Sequence, residues 1–156
     1  MYQALQLLLA PGTPDKTTRL VTTTIKTSTE ATSTTTSTTS QPTITMLYGN
    51  KTVEDILMKE ELDEMAKWNP RFKCVYVVGD GPDDPPPPCI AGAEGGWIDK
   101  AKIEKYVPAP SADSSVFVCG LPQMYAALCG PSATPEVKAG TVLAELGYST
   151  EHVEKF

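Results

Sequence analysis

Three short apolar runs constrain this chain more than any other feature. Ile44 to Tyr48, Phe72 to Val78 and Val116 to Cys119 are rich in β-branched and aromatic residues, and none keeps up an apolar–polar alternation. A strand with one wet face alternates, whereas a strand covered on both faces reads as a continuous apolar run. Helical patterns fall between the runs. Ile56, Leu57, Met58, Leu62, Met65 and Ala66 recur with helical spacing, and Asn69-Pro70 ends that helix. Thr52 is placed to cap it, with Glu54 and Asp55 facing the positive end of the helix dipole. Asp99 caps a short helix through Tyr106, closed by Pro108 and Pro110, and Gln123 to Cys129 is a further helix. Thr134-Pro135-Glu136 combines a capping hydroxyl, a proline at the first helical position and an acid, which predicts a helix to Leu146 with Gly147 as its stop.

Strands alternating with helices predict an α/β fold, a parallel sheet flanked by helices on both faces. Such sheets bind ligands at the carboxyl ends of their strands. That places the turns Gly49-Asn50-Lys51-Thr52, Gly79-Asp80 and Cys119-Gly120 where a nucleotide is expected. The loop from Gly79 to Pro88 carries Pro85-Pro86-Pro87-Pro88, which cannot join a sheet interior, and Gly95-Gly96 closes the connection.

The front of the chain is different. Tyr2 to Ala10 is leucine-rich, with Met1, Ala4, Leu5, Leu8 and Leu9 on one helical face, and reads as a short buried helix that Pro11-Gly12 and Pro14 stop. Residues 17–43 are dominated by threonine and serine. A tract with so little to bury cannot offset its chain entropy, so disorder is expected there, as an inserted linker. Three parts follow: 1–16 as a helix remnant, 17–43 as the insertion, and 44–156 as the globular domain.

Composition excludes several classes. The 156 residues carry a formal net charge of −6, the wrong sign for a nucleic-acid face or a polybasic membrane patch. Ala4 to Ala10 is far shorter than the ~20 apolar residues that span a bilayer. The four cysteines, Cys74, Cys89, Cys119 and Cys129, form no C-x-x-C pair, and His152 is the single histidine, so a zinc site has no support. The thiols read as reduced and the protein as intracellular.

The strongest local constellation is Val116 to Met124, a buried strand ending in a thiol, a glycine and a helix start. Glycine lets a ligand approach the backbone, and a helix start offers unpaired N–H groups to a polar ligand. The bland alternative makes Cys119 a small core residue, the usual place for a cysteine outside a disulfide.

These residues also carry a resemblance. Val118-Cys119-Gly120-Leu121-Pro122-Gln123-Met124 resembles the C-G-P-P-P-M signature of NADH-cytochrome b5 reductases and related ferredoxin reductase-type flavoenzymes. Leu47 to Leu57 is similar to that family's F-A-N-x-T-E-x-D-I-L block. Leu146-Gly147-Tyr148 and Val153-Glu154-Lys155-Phe156 resemble its L-G-Y … F-K-F ending. The three motifs come in the family's order and cover about Thr43 to Phe156, while Met1 to Ala10 resembles the helix after the family's first nucleotide-binding turn.

The resemblance implies a Rossmann-like NADH-binding domain that passes a hydride from NADH to FAD, which then hands single electrons to cytochrome b5. It implies Cys119 as the catalytic-site residue beside the nicotinamide. Gly120, Pro122 and Met124 would shape that pocket, Asn50, Thr52 and Asp80 would meet the nucleotide, and Phe156 would lie near the flavin. Nitrate reductases share these motifs with a different partner. The family's glycine-rich turn, its strand and its FAD domain would all precede Met1, so the first strand is expected to be missing and FAD to be bound mainly elsewhere. A non-catalytic nucleotide-binding fragment is the alternative. The family's anchor to the endoplasmic reticulum or mitochondrial outer membrane would also lie upstream. One departure bears on the nucleotide: in direct register Gly79 stands where the family has an acid, and Asp80 follows it.

Overall fold

The computed structural model describes residues 23–26 and 42–156. Among these residues six strands form one sheet. They are β1 (Thr23–Lys26), β2 (Thr43–Asn50), β3 (Phe72–Val78), β4 (Glu94–Gly95), β5 (Val116–Val118) and β6 (Val153–Lys155). Their order is β4-β3-β2-β1-β5-β6. The helices are α1 (Lys59–Trp68), α2 (Lys100–Tyr106), α3 (Pro122–Leu128) and α4 (Val142–Glu145).

The parallel sheet expected from the apolar runs is present in β2–β3, β3–β4 and β5–β6. Both of its faces are covered. Leu47, Val75, Val116, Val118 and Val153 pack with Ile103, Tyr125, Leu128 and Leu143 on one side. Ile44, Met46, Phe72, Tyr76 and Val78 pack with Ile56 and Leu62 on the other. Residues of β2 and β3 are thus shared between two cores, which is why those runs do not alternate. Burying a side chain such as Leu62 stabilises the fold by about 1.5–3 kcal/mol.

β1 is the exception in direction. It runs antiparallel to both neighbours, with Thr23 opposite Met46 and Thr24 opposite Val116. Its four residues lie inside the 17–43 stretch expected to be disordered, and that expectation fails for them. Threonine and isoleucine favour extended backbone, and the facing edges of β2 and β5 offer hydrogen-bonding groups that a strand satisfies. Thr43, at the end of that stretch, already opens β2, while residues 17–22 and 27–41 and the helix expected over Tyr2–Ala10 lie outside the described residues.

Two helices differ from expectation. Residues 51–58 are turns, and α1 starts only at Lys59. The Thr52 N–H and hydroxyl both donate to Asp55 Oδ2 at 3.0 Å, so this side chain closes a turn instead of capping a helix. Ile56 then drops into the core, and Met58 turns left-handed at φ 57° before the helix begins. Thr134-Pro135-Glu136 starts no helix either. Lys155 Nζ collects the carbonyls of Pro131, Thr134 and Glu136 at 3.1, 3.0 and 2.7 Å. A helix would direct those oxygens along its own axis to later N–H groups. Regular helix is confined to Val142–Glu145, which follows Thr141.

Other local readings hold. Asp99 caps α2 by accepting from the Lys102 N–H at 2.9 Å. Gly147 takes φ 87° at the end of α4, with Tyr148 N–H bonded to the Leu143 carbonyl.

Candidate functional site

β2, β3, β5 and β6 run in one direction, since β1 is antiparallel to both β2 and β5, and their carboxyl ends bring two groups of expected site residues to one edge of the sheet. The first group follows β5 and β6. Val118 ends β5, Cys119 and Gly120 turn the chain, and Pro122 opens α3 as its first residue. Phe156 follows β6, and its N–H donates to the Val118 carbonyl at 3.1 Å. That bond sets the C-terminal residue directly beside the Cys119 turn. The Tyr125 hydroxyl donates to the Phe156 carbonyl and fixes it from the other side. The Phe156 ring lies 6.1 Å from the buried Phe117 ring, yet stays 54% exposed. Cys119 is exposed as well, which rules out the core-residue alternative. A Cβ on Gly120 would come within 2.4 Å of the Met124 methyl, so Met124 folds over this glycine. The structure therefore brings Cys119, Gly120, Pro122, Met124 and Phe156 together.

The second group lies across β1, at the ends of β2 and β3. Asn50 ends β2, and its carbonyl accepts from the Gly79 N–H at 3.0 Å. Lys51 Nζ pairs with Asp80 Oδ2 at 2.8 Å, an exposed pair that spans the two strand ends. The Asp80 partner raises the Lys51 pKa above its ordinary value. Thr52 is exposed beside them. Asn50, Thr52 and Asp80 thus share this end of the sheet, although the Thr52 hydroxyl already donates to Asp55.

Gly79 has a packing reason. A Cβ there would stand 2.7 Å from Gly96 Cα and 2.8 Å from Gly96 N. The segment after β4 runs too close for any side chain, so an acid is accommodated only one residue later, at Asp80.

Sequence reasoning passed over two residues of this edge. Trp97 follows β4 and is 56% exposed, a large apolar ring at the carboxyl end of that strand. Its signal was the Gly95-Gly96-Trp97 triplet, where two glycines precede an aromatic. Lys51 carries no sequence signal beyond its place in the Gly49-Asn50-Lys51-Thr52 turn. Among the described residues no three His, Cys, Asp or Glu side chains gather as a metal site, and no helix is long and apolar enough to cross a membrane.

A family model of the oxidoreductase NAD-binding domain matches residues 9–130. The chain belongs to the oxidoreductase NAD-binding domain family. It is 39% identical over 120 residues to NADH-cytochrome b5 reductase 2 of Aspergillus clavatus, covering 74% of this chain and 35% of that protein. It is 40% identical over 116 residues to NADH-cytochrome b5 reductase 2 of Scheffersomyces stipitis, covering 72% and 37%. Among solved structures it is similar to the cytochrome b5 reductase domain of Ulva prolifera nitrate reductase. That likeness has a TM-score of 0.54 and 26% identity, over 71% of this chain and 37% of the other. The chain thus spans little more than a third of the relatives it matches. It is an oxidoreductase NAD-binding domain similar to those of cytochrome b5 reductases, with a Rossmann-like α/β architecture.

Proposed function

We propose that this domain binds NADH across the carboxyl ends of β2, β3, β5 and β6 and orients it to pass a hydride to FAD, whose single electrons then go to cytochrome b5. The observation that carries the reading is the Val118–Phe156 hydrogen bond, which sets an exposed aromatic ring beside the exposed Cys119–Gly120 turn. A flat ring, a thiol and a side-chain-free backbone in one place suit a planar heterocycle that must approach closely and leave a reactive carbon uncovered. Cys119 serves as the residue against the nicotinamide, Gly120 permits the approach, and Pro122 and Met124 bound the pocket. Asn50, Thr52 and Asp80 meet the adenosine half, and the exposed Trp97 offers a stacking face on the same edge.

FAD, when bound, supplies the change from two-electron to one-electron chemistry. Among the described residues only Phe156 is assigned to the flavin, through its exposed ring; the rest of the flavin site belongs to polypeptide outside this domain. What this chain contributes is orientation, because a pre-set geometry converts an encounter between two cofactors into an intramolecular step. On this reading the domain falls with proteins that attach to intracellular membranes through a separate anchor, and none of its described helices is long and apolar enough to cross a membrane.

The test is protection of a thiol. NADH should slow alkylation of Cys119 by iodoacetamide at least about fivefold at saturation, while leaving Cys89 unchanged. Equal slowing at both thiols, or none at Cys119, would refute the placement.

A further inference from the structure

The loop that leaves β3 has already spent the groups a phosphate would need. Asp84 Oδ2 accepts from the Asp80 N–H at 2.7 Å and from the Gly81 N–H at 2.9 Å. Successive main-chain N–H groups aimed at one point form an anion-binding concavity. Here the chain's own carboxylate fills it, and these two N–H groups hold the Asp84 carboxyl below its ordinary pKa.

The loop is also pressed in place. A Cβ on Gly95 would lie 2.0 Å from the Asp84 carbonyl oxygen and 2.5 Å from Pro85 C, and one on Gly96 would lie 2.2 Å from the Pro82 oxygen. Prolines at 82, 85 and 86 stiffen the same segment. The nearby cation is committed too, because Lys51 pairs with Asp80 at 2.8 Å. Asp80, Asp83 and Asp84 leave this end of the sheet negative even after Lys51 is counted.

NADPH differs from NADH by one phosphate on the adenosine 2′ oxygen, a group carrying roughly two negative charges. In nucleotide-binding α/β folds that oxygen is read at the end of a sheet strand, by an acid for the hydroxyl or a cation for the phosphate. We infer that Asp84 is a specificity-determining residue that excludes the 2′-phosphorylated nucleotide, by occupying the two main-chain donors such a phosphate would take and adding a repelling charge beside them. The inference rests on the NADH placement proposed above, and it makes selectivity a property of the Asp80–Asp84 loop, not of Asp80 alone.

Isothermal titration of the 156-residue chain with NADH and with NADPH tests it. The unmodified chain should bind NADPH at least about tenfold more weakly than NADH. Asp84→Ala frees both N–H groups and should narrow that gap about tenfold by tightening NADPH, with NADH changed less than about threefold. Asp84→Asn, which keeps an oxygen acceptor for the loop and removes only the charge, should narrow it about threefold and covers the case in which the alanine variant fails to fold. Asp83→Ala removes a loop charge without freeing an N–H and should leave the ratio within about twofold. The inference is overturned if Asp84→Ala leaves the ratio unchanged, if Asp83→Ala narrows it equally, or if the unmodified chain binds both nucleotides alike. Failure of the folded chain to bind NADH at all would instead sink the proposed function, and this inference with it.

Discussion

Gly79→Ala tests whether packing, and not chance, displaced the acid from the end of β3. The added Cβ would stand 2.7 Å from Gly96 Cα, 2.8 Å from Gly96 N and 3.0 Å from Asp84 Cβ, against about 3.4 Å for ordinary contact. Relief therefore needs a separation of roughly 0.7 Å between β3 and the segment after β4, by the difference of the first and last of those distances. The Gly96 N–H bond to the Val78 carbonyl, 3.0 Å long, spans that same gap and would stretch with it. Overpacking costs about 1–3 kcal/mol, and a weakened backbone hydrogen bond adds about 0.5–1.5 kcal/mol. A total near 2–3 kcal/mol should lower the melting temperature by about 8–12 °C for a domain of this size. Circular dichroism melts of the two proteins, at equal concentration, give the comparison. A melting temperature within about 2 °C of the unmodified chain would refute the packing argument and leave the position of the acid unexplained.

Leu143→Ala, at a side chain 2% exposed in the larger core, should cost about 2–5 kcal/mol in a urea titration with little change in NADH affinity once folded. Thiol titration with a disulfide reagent at pH 8 should find two fast cysteines, Cys89 and Cys119, and two slow ones; burial pushes Cys74 up to about 12 and also raises Cys129, and all four should react in guanidinium. Hydrogen bonds from Lys105 and Tyr106 hold the Glu94 carboxyl below its ordinary value of 4.5. A depressed acid stabilises the fold above its unfolded pKa and loses that contribution as pH falls through the folded one. The stability difference between the unmodified chain and Glu94→Gln should therefore be flat above about pH 5.5 and close below pH 4.5, as denaturant midpoints across that range would show. Lys155→Met removes the ammonium that gathers three loop carbonyls, and amide exchange at Val137 and Lys138 should quicken roughly tenfold while that at Val75 stays unchanged.

The strands of the sheet centre were legible because their two-sided burial leaves a composition that nothing else requires. Ile44 to Tyr48 and Phe72 to Val78 must each supply two cores at once, so they read as strands from residue type alone. Val153–Lys155 was not legible. Three residues are too few to show a period, and what makes them a strand is the exposed edge of β5. Thr23–Lys26 fails for the same reason in reverse: its composition says loop, while two facing sheet edges recruit it. The two helix errors share a cause. Thr52 and Thr134 carry good capping chemistry, but Asp55 takes the Thr52 hydroxyl and Lys155, distant in sequence, takes the carbonyls around Thr134. A competing partner, three residues away at Asp55 and distant in sequence at Lys155, overrode a capping signal that was sound by itself. At the site, the Cys119-Gly120 turn was legible from its strand, thiol and glycine. The contribution of Asp84 was not, because it depends on which way two loop N–H groups point.

The most direct test of the central claim is a nitrogen–proton correlation spectrum of the 15N-labelled chain, titrated with NADH. Binding across the carboxyl ends of the sheet predicts saturable shifts of the amides of Asn50, Asp80, Gly120 and Phe156, with little change at Arg71 and Ser114 at the opposite ends of β3 and β5. Saturable shifts centred on Arg71 and Ser114, or a folded spectrum that NADH leaves unmoved, would contradict it.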